Sequence, residues 1–237
     1  MTRQIPWLRV FVEGVVIVGS ILLAFGIDAW WEGVQERADE RQALERLVAE
    51  FSVVDSVLGE WQANHKGVAE ASEVLLQHTG PPGSASLSAD SIGALMWTLR
   101  WLWTVDPPTA TLSSLESSGR LGVIQNQEIL TQLASWQALL SDLQSDEELV
   151  ARWGSETALP YVMSHTAWRN ISYTSDDVHA GNPSPFPDGL LELLTQREFE
   201  SQLDVRRTFQ VDLVATYDLV RASLDRVRSL IQEELAR

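Results

Sequence analysis

The chain has no cysteine. Disulfides, thiolate metal sites and thiol nucleophiles are therefore excluded. Lysine is nearly missing too: Lys66 stands alone among 17 basic residues, and the rest are arginine. Basic residues are outnumbered by 33 aspartates and glutamates, which leaves a net charge of -16 at pH 7. That balance excludes a nucleic-acid binder driven by phosphate contacts and disfavours adhesion to anionic lipid headgroups. Histidine occurs only at His65, His78, His165 and His179, and never in an H-E-x-x-H or E-x-x-H arrangement. There is no glycine-rich phosphate loop, Walker motif or G-x-S-x-G elbow. Alternating strand patterns are missing as well. We therefore expect no catalytic, cofactor-binding or metal-binding residues and read the chain as a non-enzyme.

What is present is an apolar segment at the amino end. Gly14 to Ile27 runs without a charge or a proline, and Trp30-Trp31 closes it. Alone this is short for a spanning helix. From Trp7 to Trp30 a helix at 1.5 Å per residue reaches roughly 35 Å, enough to cross a bilayer with some tilt. Tryptophans at both ends suit the two interfaces. Arg9 and Glu13 are four apart, share a helix face and can pair near the headgroups. The competing reading is a signal peptide cut near Ala24-Phe25-Gly26. The expectation is an uncleaved anchor over residues 1–33, whose belt is Trp7, Arg9, Glu13, Trp30 and Trp31. Gly19, Gly26 and Gly33 recur every seven residues on nearly one face, where small residues let a second membrane helix approach.

Arg3 and Arg9 precede the apolar run, and Arg37, Arg41 and Arg46 follow it, so basic residues alone do not orient it. Long domains translocate largely regardless of charge. The expected placement is the bacterial inner membrane, with the amino terminus cytoplasmic and the bulk periplasmic.

Residues 34–237 read as one acidic helical domain, large enough for a sizeable core. Leu44, Leu47, Phe51, Val54, Leu58, Trp61, His65, Val68, Ser72 and Leu75 follow alternating steps of three and four. This predicts a long helix with a heptad seam, continuing the anchor and interrupted by polar His65 and Ser72. His65 reads as a hydrogen-bonded core histidine rather than a ligand. A second, Trp-rich helix is predicted from Ser88, an N-cap, to about Thr104, stopped by Asp106-Pro107-Pro108. In that helix Trp97 and Trp101 share a face and Trp103 points elsewhere, so the three are expected to form the partner surface. A short helix ends at Gly119. Asn126 caps the next long helix, whose stripe is Ile129, Leu133, Trp136, Leu140, Leu143, Val150 and Trp153. Glu147 interrupts that stripe, the pair Glu147-Glu148 reads as a solvated face, and Pro160 ends or bends the helix. Residues 164–188 read as a polar loop, in which Asp176, Asp177 and His179 cluster, with loop acidity the commoner explanation. The last helix runs from about Gln196 to Arg237 with Phe199, Leu203, Phe209, Leu213, Tyr217, Val220, Leu224, Val227, Ile231 and Leu235 inward. The fold expected is all-α: a transmembrane helix continuing into an antiparallel bundle of long helices.

The run Glu13-Gly-Val-Val-Ile-Val-Gly-Ser-Ile-Leu-Leu-Ala-Phe-Gly-Ile-Asp28-Ala-Trp-Trp-Glu32, with Leu115-x-x-Ser118-Gly119-x-Leu121-x-x-Ile124 and the following Asn126-Gln-Glu-Ile-Leu, resembles a bacterial family of single-span membrane proteins with a helical extracytoplasmic domain. The resemblance implies the same architecture and carries no chemistry with it. Trp31 and the Trp97/Trp101/Trp103 group depart from the family pattern. The function expected is an accessory or structural subunit of a larger membrane complex, of a respiratory or photosynthetic kind, with other integral membrane proteins and the bilayer as partners. The alternative is a membrane-tethered sensor or regulator with an extracytoplasmic binding domain.

Overall fold

The computed structural model describes residues 7–82, 87–172, 184–186 and 189–237, without the side chains of residues 7–10, 12 and 172. Every regular element among them is helical. Helix α1 runs unbroken from Trp7 to Leu76, about 105 Å at 1.5 Å per residue. No proline interrupts it, and Pro81-Pro82 follow its end. Hydrogen bonding continues through Gly33, whose carbonyl also accepts from Arg37 Nε. Helix α1 has two regimes. From Phe11 to Gln42 no described residue is buried, and the segment around the apolar run is long and apolar enough to cross a membrane. From Ala43 onward burial follows the heptad: Leu44, Leu47, Phe51, Val54, Leu58, His65, Val68, Ser72 and Leu75 are buried, and Trp61 is half-buried.

Helix α8 (Arg197–Leu235) covers that seam. Its partners on α1 descend as α1 ascends: Arg41 donates to the Leu235 carbonyl, Arg221 pairs with Asp55, Gln62 donates to the Val214 carbonyl, and Arg207 lies 3.5 Å from Glu73. Helix α4 (Gln127–Trp153) packs along α8 in the same descending sense, with Glu128 against Arg226 and Glu147 against Tyr217. The three share one core in which Phe51 and Trp136 rings lie 5.1 Å apart. A second, smaller core gathers where α1 ends. It joins Leu75 to α2 (Ala89–Leu99), α5 (Leu159–His165), α6 (Trp168–Ser172), α7 (Leu190–Leu193) and the start of α8.

Local signals act as expected at several ends. Ser88 Oγ accepts from the Ser91 amide, Asn126 Oδ1 from those of Glu128 and Ile129, and Gly119 takes the left-handed conformation at φ 68° that ends α3 (Ala110–Ser117). Helix α3 has no side-chain cap of its own. Glu50 of α1 accepts from the Thr111 and Leu112 amides instead, placing a carboxylate at the positive end of the helix.

Two expectations are corrected. The Trp-rich helix stops at Leu99, so Trp101 and Trp103 lie on an extended strap, residues 100–109, and share no helix face with Trp97. The predicted loop, residues 164–188, opens on the last two residues of α5 and then carries helix α6, whose Ile171 is fully buried. Ahead of Pro160, α4 gives way at Trp153 to a π-turn over Gly154–Ala158, and the chain continues into α5 with Pro160 in its first turn. Asp176, Asp177 and His179 lie outside the described residues.

If the heptad seam carries the domain, Phe51→Ala is expected to lower its stability by about 3–5 kcal/mol, while Val53→Ala, exposed on the same helix, changes it by less than about 0.5 kcal/mol. Urea unfolding of both variants checks this.

Candidate functional site

The centre of the domain is polar. Glu147, read from sequence as solvated, is 2% exposed, while its neighbour Glu148 is exposed. The spacing explains the correction: Glu147 sits in step with Leu143 and Val150 on the buried stripe of α4. Its carboxylate accepts three hydrogen bonds. His65 Nε2 donates at 2.9 Å, the Tyr217 hydroxyl at 2.6 Å, and the Val105 amide of the strap at 2.6 Å. His65 Nδ1 faces the amide of buried Gln210 at 2.6 Å. As placed, Gln210 Nε2 has no partner, and turning the amide over lets it donate to Nδ1 instead. Gln144 Nε2 donates to the Val105 carbonyl, so both backbone polar groups of Val105 are held by α4. Burial, and then the Glu147 charge, push the Tyr217 phenol well above its usual range. Tyr217 therefore stays neutral and donating at any physiological pH. Helices α1, α4 and α8 and the strap meet at this one carboxylate.

Beside it, Arg206 of α8 is 4% exposed. Its Nη2 donates to the carbonyls of Leu99 and Trp101. Those two bonds take up carbonyls where α2 ends, in place of further helical turns. Its Nη1 is buried without a partner. Burial pushes the Arg206 pKa down to about 10, so the guanidinium remains charged at neutral pH. Sequence reasoning missed Arg206 and Gln210. They occupy two consecutive seam positions of α8, between Leu203 and Leu213, where apolar Phe209 was assigned instead; Phe209 is half-buried beside them, edge-on to Trp153 at 5.6 Å. Arg206 lines a cavity of about 240 Å³ between α2, the strap, the π-turn, α5 and α8. Leu102 of the strap closes one wall against Gly154, where a Cβ would come within 2.3 Å of its methyl.

The three tryptophans are placed apart. Trp97 is half-buried, 6.4 Å from the Trp168 ring, with Arg100 stacked 3.8 Å over its centre. Trp101 lies edge-on to Trp61 at 5.2 Å. Trp103 is 63% exposed at the cavity. On the anchor, Trp30 and Trp31 are exposed, and a Cβ added at Gly19 or Gly26 meets nothing within 4 Å, so that face is open. The side chains of Trp7 and Arg9 lie outside the described residues. Among the described residues no group of three or more His, Asp or Glu is placed to hold a metal.

The network makes two predictions. Glu147→Ala leaves three buried donors unmatched and is expected to destabilise by about 3 kcal/mol or more, whereas Tyr217→Phe removes one donor and costs about 1 kcal/mol. Chemical denaturation of the two variants tests this order. Because the folded phenol ionises only well above its unfolded value near 10, Tyr217 adds no pH dependence below about pH 10. Above that the unfolded chain ionises first and stability falls as pH rises. Tyr217→Phe is expected to flatten that alkaline fall in unfolding curves taken between about pH 9 and 11.

Compared with protein-family models, with curated proteins and with solved structures, the chain finds no match.

Proposed function

We propose that this is a membrane-anchored, non-enzymatic accessory subunit that braces a larger membrane protein complex, of a respiratory or photosynthetic kind. The observation that carries the reading is the unbroken α1. One helix contains both the apolar segment and the seam of the domain core, so the domain is held at a set distance from the membrane rather than tethered loosely. A flexible linker suits capture of distant partners; a continuous helix suits positioning. In this reading the domain is an antiparallel bundle standing on the periplasmic side of the inner membrane, as in the single-span family the sequence resembles. The glycine face, open at Gly19 and Gly26 and bordered by the Arg37 side chain at Gly33, packs on other integral membrane helices, and the segment carrying Trp97, Trp101 and Trp103 meets a second partner surface. Trp103 is the ring left free for that contact, since Trp97 and Trp101 have aromatic partners within the chain. The sensor reading has one specific observation in its favour, the cavity lined by Arg206.

The test is purification from native membranes in mild detergent after a carbonate wash. The protein is expected to stay membrane-bound and to migrate with other integral proteins. Gly19→Leu with Gly26→Leu is expected to weaken association with partners by roughly 1–2 kcal/mol, about five- to thirty-fold in affinity, with insertion intact. Trp103→Ala is expected to reduce association without changing the melting temperature, while Trp101→Ala lowers stability by opening the contact with Trp61. Recovery of wild-type protein only as a lone monomer, or as a soluble form starting near Gly26, contradicts the proposal.

A further inference from the structure

We infer that the Arg206 cavity is a binding site for an apolar carboxylate of about medium-chain fatty-acid size. Neither the anchor nor the proposed partner role requires this site, and the inference does not rest on them.

Arg206 is charged and has no counter-ion among the described residues. Its two hydrogen bonds end on neutral backbone carbonyls, and its Nη1 is buried with nothing to donate to. An unpaired buried charge is strongly unfavourable and is retained where something compensates it. The arginines that make surface pairs have acidic neighbours within 4 Å; Arg221 and Arg228, for example, both reach Asp55. Arg206 instead borders an open cavity of about 240 Å³, far above the roughly 10–15 Å³ that a single water needs. Most of the remaining lining is apolar, with Met96, Leu99, Val162, Trp168, Phe199 and Leu203, and Arg100 of the strap borders it too. Gln202, one turn before Arg206 on α8, also lines the cavity, and its Oε1 is buried without a partner. A mostly apolar enclosure whose polar lining is Arg206, Gln202 and Arg100 of the strap fits a molecule with an apolar body and a single carboxylate. The space is too small for a two-chain lipid, and the apolar walls give a polar anion such as free phosphate nothing to bury. The π-turn at Gly154–Ala158 forms part of the wall, and such turns are frequent at functional sites.

The test uses the full-length protein in lipid nanodiscs, titrated calorimetrically with decanoate and with decanol, with empty nanodiscs as the blank. Decanoate is expected to bind saturably and at least tenfold more tightly than decanol, which has the same chain without the charge. Arg206→Met is expected to remove that preference while leaving decanol binding unchanged. Ala158→Trp, which fills the cavity while leaving Arg206 in the sequence, is expected to remove both. Equal affinity for decanoate and decanol, undiminished decanoate binding by Arg206→Met, or no saturable binding to the wild type overturns the inference. If Arg206→Met loses helicity by circular dichroism, the wild-type preference and the Ala158→Trp variant decide it: preference with loss on filling supports the site, and either one missing overturns it.

Discussion

Glu147 is the constraint on which the rest of the domain depends. A carboxylate taken out of water is strongly unfavourable unless several donors meet it. Here those donors come from elements far apart in sequence: His65 on α1, Tyr217 on α8 and the Val105 amide on the strap. Apolar contacts along a heptad seam tolerate sliding by a turn, because one leucine replaces another. Three hydrogen bonds to one buried group do not. The network therefore fixes the register of α1, α4 and α8 relative to one another, much as a single buried polar residue fixes register in a coiled coil.

The same constraint shapes the strap. With the Val105 amide held by Glu147 and its carbonyl by Gln144, the chain cannot continue α2 as a helix through this point. Arg206 takes up the Leu99 and Trp101 carbonyls just before it. The strap then crosses the core with Val105 and Pro107 buried, and space remains between it, the π-turn and α8. The cavity is thus a consequence of two buried polar residues that interrupt otherwise apolar helix faces. At the other end of α1 the physics is simpler. The helix emerges from the core at Ala43 and carries its exposed apolar segment onward without a hinge.

Periodicity made α1 readable, because every seam position from Leu44 to Leu75 is in step and the polar ones, His65 and Ser72, stay in step too. On α8 the same period demands Arg206 and Gln210, yet a hydrophobicity pattern passes over charged and amide residues and settles on nearby Phe209. Glu147 was set aside with Glu148 for the same reason, since pairs of acids usually mark a wet face. Propensity favoured helix through Trp103, and only the long-range bonds from Glu147 and Arg206 oppose it. The cavity had no sequence signal except one: polar residues at core positions on facing helices, His65, Glu147, Arg206 and Gln210 together, mark a buried polar centre. The apolar segment of α1 was legible because, with its flanks, it is long and apolar enough to cross a membrane, and none of the described residues covers it.

Amide hydrogen exchange at Val105 tests the account most directly. Val105 lies in a segment with no helical hydrogen bonding, so nothing but Glu147 protects its amide. The account predicts that this amide exchanges as slowly as the core amides of α4 and α8 in the wild-type protein. It also predicts that in Glu147→Ala the strap amides around Val105 exchange orders of magnitude faster than those cores. Fast exchange of Val105 in the wild type, or equal protection of the strap in the variant, would contradict it.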